Sequence, residues 1–208
     1  VGHLSVQNGN MVFEDGPLTL AMKIGGIFLF NEADLCSPAT LAGLNTILDG
    51  SPLCIAENGG ELVKPDPMFR FIVTANSNGN SDETGLYQGV MRQNIAFMDR
   101  FIVVEIDYPR PEVERNLLNR LFPEIPAEIT EKMVDFANDV RRNFMGNSSA
   151  HDALEVTLST RTLMRWAKLT VAFQPLSKQG ISPIMYALAR ALGFRASTTS
   201  RAALHEMA

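Results

Sequence analysis

Three short stretches carry apolar residues at successive positions: Ile27-Phe28-Leu29-Phe30, Phe71-Ile72-Val73-Thr74-Ala75 and Phe101-Ile102-Val103-Val104-Glu105-Ile106. A strand that is apolar on both sides needs cover on both sides, which suits the buried strands of a parallel sheet. The segment between the first two stretches supplies a covering helix. Ser37 can cap it, Pro38 fits its first turn, Gly50 can end it, and Leu41, Leu44, Ile47 and Leu48 repeat along one face. Strand, helix, strand in that order predicts an α/β layer architecture.

Turn signals add detail. Asn8-Gly9-Asn10 precedes Met11-Val12-Phe13 and predicts a hairpin before the first strand. Glu57-Asn58-Gly59-Gly60 separates Leu53-Cys54-Ile55 from Leu62-Val63 and predicts a second, while Ser77 to Glu83 reads as a loop. After Tyr108-Pro109-Arg110-Pro111 the strand-like runs give way to helical periodicity. Val113, Leu117, Leu118 and Leu121 share a face, and Pro123 stops that helix. Ile129, Met133, Phe136, Ala137, Val140 and Phe144 form a longer stripe, broken by Gly146-Asn147-Ser148-Ser149. Ser159 can cap a third helix through Trp166 and Leu169, and Ser182-Pro183 starts a fourth, closed by Gly193. The expected organisation is an α/β part over 1–108 and a smaller helical part over 109–208.

Charge and composition exclude some classes. A net charge of -5 argues against a dedicated nucleic-acid binder, which usually carries a basic patch. Cys36 and Cys54 are too few for a disulfide framework and read as reduced thiols. His3, His151 and His205 sit in no metal-ligand spacing. No apolar run reaches membrane-spanning length, and Val1-Gly2-His3-Leu4 lacks the regions of a signal peptide. The expectation is a cytoplasmic protein with no membrane partner.

Four polar positions carry candidate chemistry. The first apolar run ends in Asn31-Glu32, and ligands of open α/β sheets bind beyond the carboxyl ends of strands. Glu32 would polarise a water attacking a terminal phosphate, with Asn31 near the Mg²⁺ shell; the alternative is an acid in a cap or loop. Asn76 ends the second run, and its amide can orient a water and touch a phosphate oxygen at once, or simply make a turn. Arg100, in Met98-Asp99-Arg100-Phe101, could neutralise charge on a transferring phosphoryl group across a subunit boundary, or make a surface ion pair. Arg161 falls in the first turn of the helix capped by Ser159, where a cation opposes the helix dipole; a residue set against local preference hints at function.

Acidic strand, polar strand, Arg before a third strand and Arg opening a later helix is the order found in AAA+ ATPases. The stretch Phe13-Glu14-Asp15-Gly16-Pro17-Leu18, continuing to Ala21 and Gly25, resembles the segment leading to the Walker B strand in the MoxR-like clade. By that resemblance Asn31-Glu32 is the Walker B end, Asn76 sensor 1, Arg100 the arginine finger and Arg161 sensor 2. Thr74-Ala75-Asn76, Thr84-Gly85-Leu86-Tyr87-Gln88-Gly89, Gln93-Asn94, Met98-Asp99-Arg100 and Leu158-Ser159-Thr160-Arg161-Thr162 with Trp166-Ala167 are similar to the ATPase (CobS-type) subunits of aerobic cobaltochelatases. The resemblance implies the C-terminal part of an AAA+ P-loop core followed by an all-helical lid. It also implies ATP and Mg²⁺ as ligands, a homo-oligomeric ring (a hexamer) and a von Willebrand-type partner subunit. Chelatase function implies that the ring drives cobalt insertion. The rivals are a MoxR-type chaperone ATPase and a non-hydrolysing structural module.

Two departures from the family pattern matter. Asn31 stands where these families usually have Asp, and an amide brings no charge to Mg²⁺-bound water. No Gly-x-x-x-x-Gly-Lys-[Ser/Thr] loop occurs in the 208 residues. The expectation is therefore a fragment of a longer ATPase that by itself binds nucleotide poorly, because the backbone amides and Lys of that loop supply most phosphate binding.

Overall fold

The computed structural model describes residues 1–77, 90–145, 154 and 156–207. The Thr84 to Gly89 stretch, all of the expected loop after Ser77, the expected break at Gly146 to Ser149 and His151 lie outside the described residues. The chain divides into two compact units, Val1–Val104 and Glu105–Ala208.

The first unit opens with an antiparallel hairpin, β1 (Gly2–Gln7) and β2 (Asn10–Asp15). Its turn needs two left-handed residues, and Asn8 (φ 50°) and Gly9 (φ 79°) supply them. This is the two-residue geometry whose twist matches the flanking strands. Helix α1 (Pro17–Ile24) follows, with Pro at its start and left-handed Gly25 (φ 69°) at its end. A side chain at Gly25 would also meet the Asp66 carboxylate, so both backbone conformation and space favour glycine there.

The central sheet pairs β3 (Ile27–Phe30) with β6 (Arg70–Val73) in parallel, Phe28 opposite Phe71 and Phe30 opposite Val73. A second antiparallel hairpin, β4 (Leu53–Ile55) and β5 (Glu61–Val63), lies between them in sequence. Phe28, Phe30, Phe71 and Val73 face the unit's two apolar clusters. One is built on Leu18, Met22, Ile47, Ile55 and Val63, the other on Ala33, Leu41 and Phe97.

Three expectations need correction in this unit. The helix expected from Ser37 to Gly50 is two short helices, α2 (Pro38–Ala42) and α3 (Asn45–Leu48), parted at Gly43 and Leu44. The break lets Leu41 enter one cluster and Ile47 the other, with Leu44 against both. The strands are not covered on both faces: Ile27, Leu29 and Ile72 are exposed. The third run, Phe101 to Ile106, forms no strand; Ile102 is 95% and Ile106 85% exposed. A strand is held by its neighbours, and no described strand pairs with this segment. Helix α4 (Ile95–Met98), capped by the Asn94 side chain, leads into it.

The second unit is helical: α5 (Pro111–Leu121), α6 (Ala127–Met145), α7 (Thr160–Ala172), α8 (Pro183–Ala191) and α9 (Thr198–Met207). Met133, Phe136, Ala137 and Val140 of α6 join Leu163, Trp166 and Ala167 of α7 and Leu188 of α8 in one core. The tail after Ala196 forms α9 and buries Leu204 in that core. On α5 the expected apolar face is only half right. Val113 and Leu121 are exposed, while Leu118 and the charged Glu114 are buried.

Candidate functional site

Parallel pairing brings the ends of β3 and β6 side by side, and hydrogen bonds continue past the last paired residues. Thr74 N–H donates to Phe30 O at 3.0 Å and Ala33 N–H to Thr74 O at 3.0 Å. The Thr74 hydroxyl accepts from Glu32 N–H at 3.1 Å and donates to Asn31 Oδ1 at 3.1 Å. One threonine therefore binds both residues of the candidate acidic end.

Glu32 adopts the left-handed conformation (φ 54°, ψ 45°), uncommon for a residue with a side chain. Such conformations persist where surrounding contacts fix them and cluster at functional sites. Here the fixing contacts are the bond to Thr74, the bond from Leu35 N–H to Glu32 O, and burial of Ala33 and Asp34 just downstream. Asn31 and Glu32 themselves are exposed.

Asp34 is a residue that sequence reasoning passed over. It is 1% exposed, and its Oδ2 accepts the Asn76 N–H at 2.8 Å. Its carbonyl accepts Met91 N–H, and its Oδ1 is buried with no partner among the described residues. The Asn76 side chain is thereby carried on a backbone clamped to the acidic segment, and Asn76 remains exposed. The signal available in the sequence was an acid two residues beyond Glu32. It could not be separated from a solvent-facing loop acid without coordinates.

Arg100 sits after α4 and is bound within its own chain. Its Nε and Nη2 donate to the two oxygens of Asp49, both at 2.8 Å, and its Nη1 donates to Ala96 O. The hydrogen bonds from Arg100 hold the Asp49 carboxyl below its ordinary value, and those to Asp49 raise the guanidinium. Three of five guanidinium N–H groups are engaged, leaving two for another acceptor.

Arg161 belongs to the second unit, in the first turn of α7. Ser159 caps that turn by accepting the Thr162 N–H, and Arg161 is exposed. The unit also holds a cleft of about 770 Å³ lined by Tyr108, Arg110, Asn138, Arg141 and Arg142; Arg161 does not line it.

Two family models cover nearly the whole chain. The AAA domain of the dynein-related subfamily matches residues 1–101, and the CbbQ/NirQ/NorQ C-terminal domain matches residues 114–208. The chain belongs to the AAA+ family.

Proteins similar to the AAA+ chain are of several kinds. It is 30% identical over 161 residues to the aerobic cobaltochelatase subunit CobS of Sinorhizobium sp, spanning 75% of this chain and 47% of that protein. It is 28% identical over 167 residues to midasin of Dictyostelium discoideum, spanning 80% of this chain and 3% of midasin. An uncharacterised protein of Staphylococcus aureus is 30% identical over 131 residues, 63% of this chain and 47% of the relative. The AAA+ chain thus spans about half, or far less, of the relatives it matches. Both cysteines are free, and among the described residues no helix is long and apolar enough to cross a membrane.

The residues at the strand ends suit Mg²⁺ held largely by its substrate. No group of three or more His, Cys, Asp or Glu gathers among the described residues, so no protein cage for a metal forms there. Mg²⁺ is commonly held by few protein oxygens, with waters and substrate phosphates completing its shell, and the exposed amide of Asn31, reaching the ion through a water, fits that pattern.

Proposed function

We propose that this chain is the catalytic-edge and lid portion of an ATP-hydrolysing AAA+ ring that remodels a partner protein. The observation that carries the proposal is the parallel β3–β6 pair, which sets Asn31, Glu32 and Asn76 on one edge and holds Glu32 left-handed. In this reading the Glu32 carboxylate accepts the proton of the attacking water, and the Asn76 amide orients that water against a phosphate oxygen. Asn31 contacts Mg²⁺ through water. When bound, Mg²⁺ neutralises charge on the phosphates. Arg161 contacts phosphate from within the subunit. The two spare donors of Arg100 reach the site of a neighbouring subunit.

The match to a cobaltochelatase subunit over 75% of this chain supports a chelatase-type assembly with a von Willebrand-type partner over a MoxR-type chaperone. The metal inserted by such an assembly would be its substrate, held by the partner subunits.

In the full-length protein, Glu32→Gln should keep ATP binding and lower turnover by at least about 10²-fold, the usual worth of a positioned base. Binding by a fluorescent nucleotide and turnover by phosphate release measure the two separately. Undiminished hydrolysis would remove Glu32 from its role. Arg100→Ala rings should also be slow, and mixing them with Glu32→Gln rings should restore part of the activity at mixed interfaces.

A further inference from the structure

The most densely bonded polar cluster in the described residues lies in the second unit. Arg141 on α6 and Glu114 on α5 form a two-pronged ion pair, Nη1 to Oε2 at 2.8 Å and Nη2 to Oε1 at 2.9 Å. Their side chains are 4% and 1% exposed. A buried ion pair loses hydration that its attraction does not fully restore, so well-packed apolar residues often stabilise a core as well. The remaining bonds of this pair indicate a different use.

Apart from a bond from Arg141 Nη1 to Asn138 Oδ1 at 3.1 Å, those contacts converge on the four residues that precede Arg161. Arg141 Nε donates to Leu158 O at 2.8 Å. The Thr160 hydroxyl donates to Glu114 Oε1 at 2.6 Å. The Arg141 guanidinium stacks on the Tyr108 ring, 4.3 Å from its centroid, and the Tyr108 hydroxyl pairs with Thr157 Oγ1 at 3.1 Å. Ser159, between them, caps α7. Residues 157, 158, 159 and 160 are therefore each fixed by a polar contact, while Arg161 itself projects into solvent.

We propose that Glu114 and Arg141 are positioning residues for Arg161, and that Thr160 is the link that transmits their geometry to the first turn of α7. The proposal rests on the reading of Arg161 as a phosphate contact. A long side chain aims accurately only when its backbone is held, and a displacement of about 1 Å can cost orders of magnitude in rate. The buried pair supplies that hold, because each charge is locked by the other and by bonds at fixed angles.

The test uses the full-length protein with Thr160→Val, which keeps the shape and removes the hydroxyl, and Thr160→Ser, which keeps the hydroxyl. Thr160→Val should lower kcat about ten-fold or more, the lower end of the worth of one hydrogen bond to a charged group, and Thr160→Ser should not. The loss should vanish in an Arg161→Ala background, since a positioning residue has nothing left to position there. Losses that multiply in the double variant would overturn the proposal.

Amide hydrogen exchange at Thr162 and Leu163 gives a second reading that does not depend on hydrolysis. It should quicken in Thr160→Val and not in Thr160→Ser; unchanged exchange overturns positioning. Quickened exchange with Arg161→Ala fully active would instead support positioning and sink the phosphate role of Arg161. If Thr160→Val does not fold, Tyr108→Phe removes the link to Thr157, and the same measurements decide.

Discussion

At the scale of single residues, the first unit is governed by where a few polar groups find partners. Thr74 and Asp34 fix the backbones that carry Glu32 and Asn76, so the candidate site depends on two side chains with no assigned chemistry. Asp49 does the same for Arg100. Because Asp49's carboxyl titrates lower in the folded chain than its ordinary value of 3.8, its contribution is complete above about pH 4. It is lost as pH falls through the folded value. Thermal unfolding of Asp49→Asn at low salt should therefore show a weaker dependence on pH below about 4 than the parent, with no difference in slope near neutrality. High salt should shrink the difference, since Asp49 is half exposed and ions screen such pairs.

At the scale of elements, local punctuation and tertiary packing divide the work. Caps and turns read from sequence appear where side-chain chemistry alone decides them. Asn8-Gly9 turns β1 into β2, Ser159 caps α7 and Ser182 caps α8. Ser159→Ala should cost the helical unit about 1 kcal/mol, read from urea unfolding, because Thr162 N–H loses its acceptor. Elements defined by their neighbours were less legible. The periodic Leu41, Leu44, Ile47 and Leu48 predicted one helix, yet the need to fill two clusters splits it. On α5, periodicity favoured Val113 and Leu121 for the core and missed Glu114, since burying a carboxylate depends on an arginine 27 positions away.

At the scale of the whole molecule, two units each carry their own apolar core, and the AAA+ and CbbQ/NirQ/NorQ-type regions follow the same order along the chain. The segment after Phe101 exposes Ile102, Val103, Val104 and Ile106 together. Contiguous exposed apolar runs drive association. The 208-residue chain should therefore self-associate in light scattering as its concentration rises, and Ile102→Lys should reduce that tendency without lowering the unfolding midpoint. Sequence alone determined the alternation of strands and helices, the change to an all-helical second half, the hairpin turns and the polar residues that end each strand. These follow from periodicity and from backbone preferences that act within a few residues. Only tertiary structure decided that β3 and β6 are direct neighbours, that Phe101 to Ile106 has no described strand beside it, and that Glu114 and Arg141 meet beneath α7. Pairing, burial and charge neutralisation depend on groups far apart along the chain, and no local pattern encodes which of them will meet.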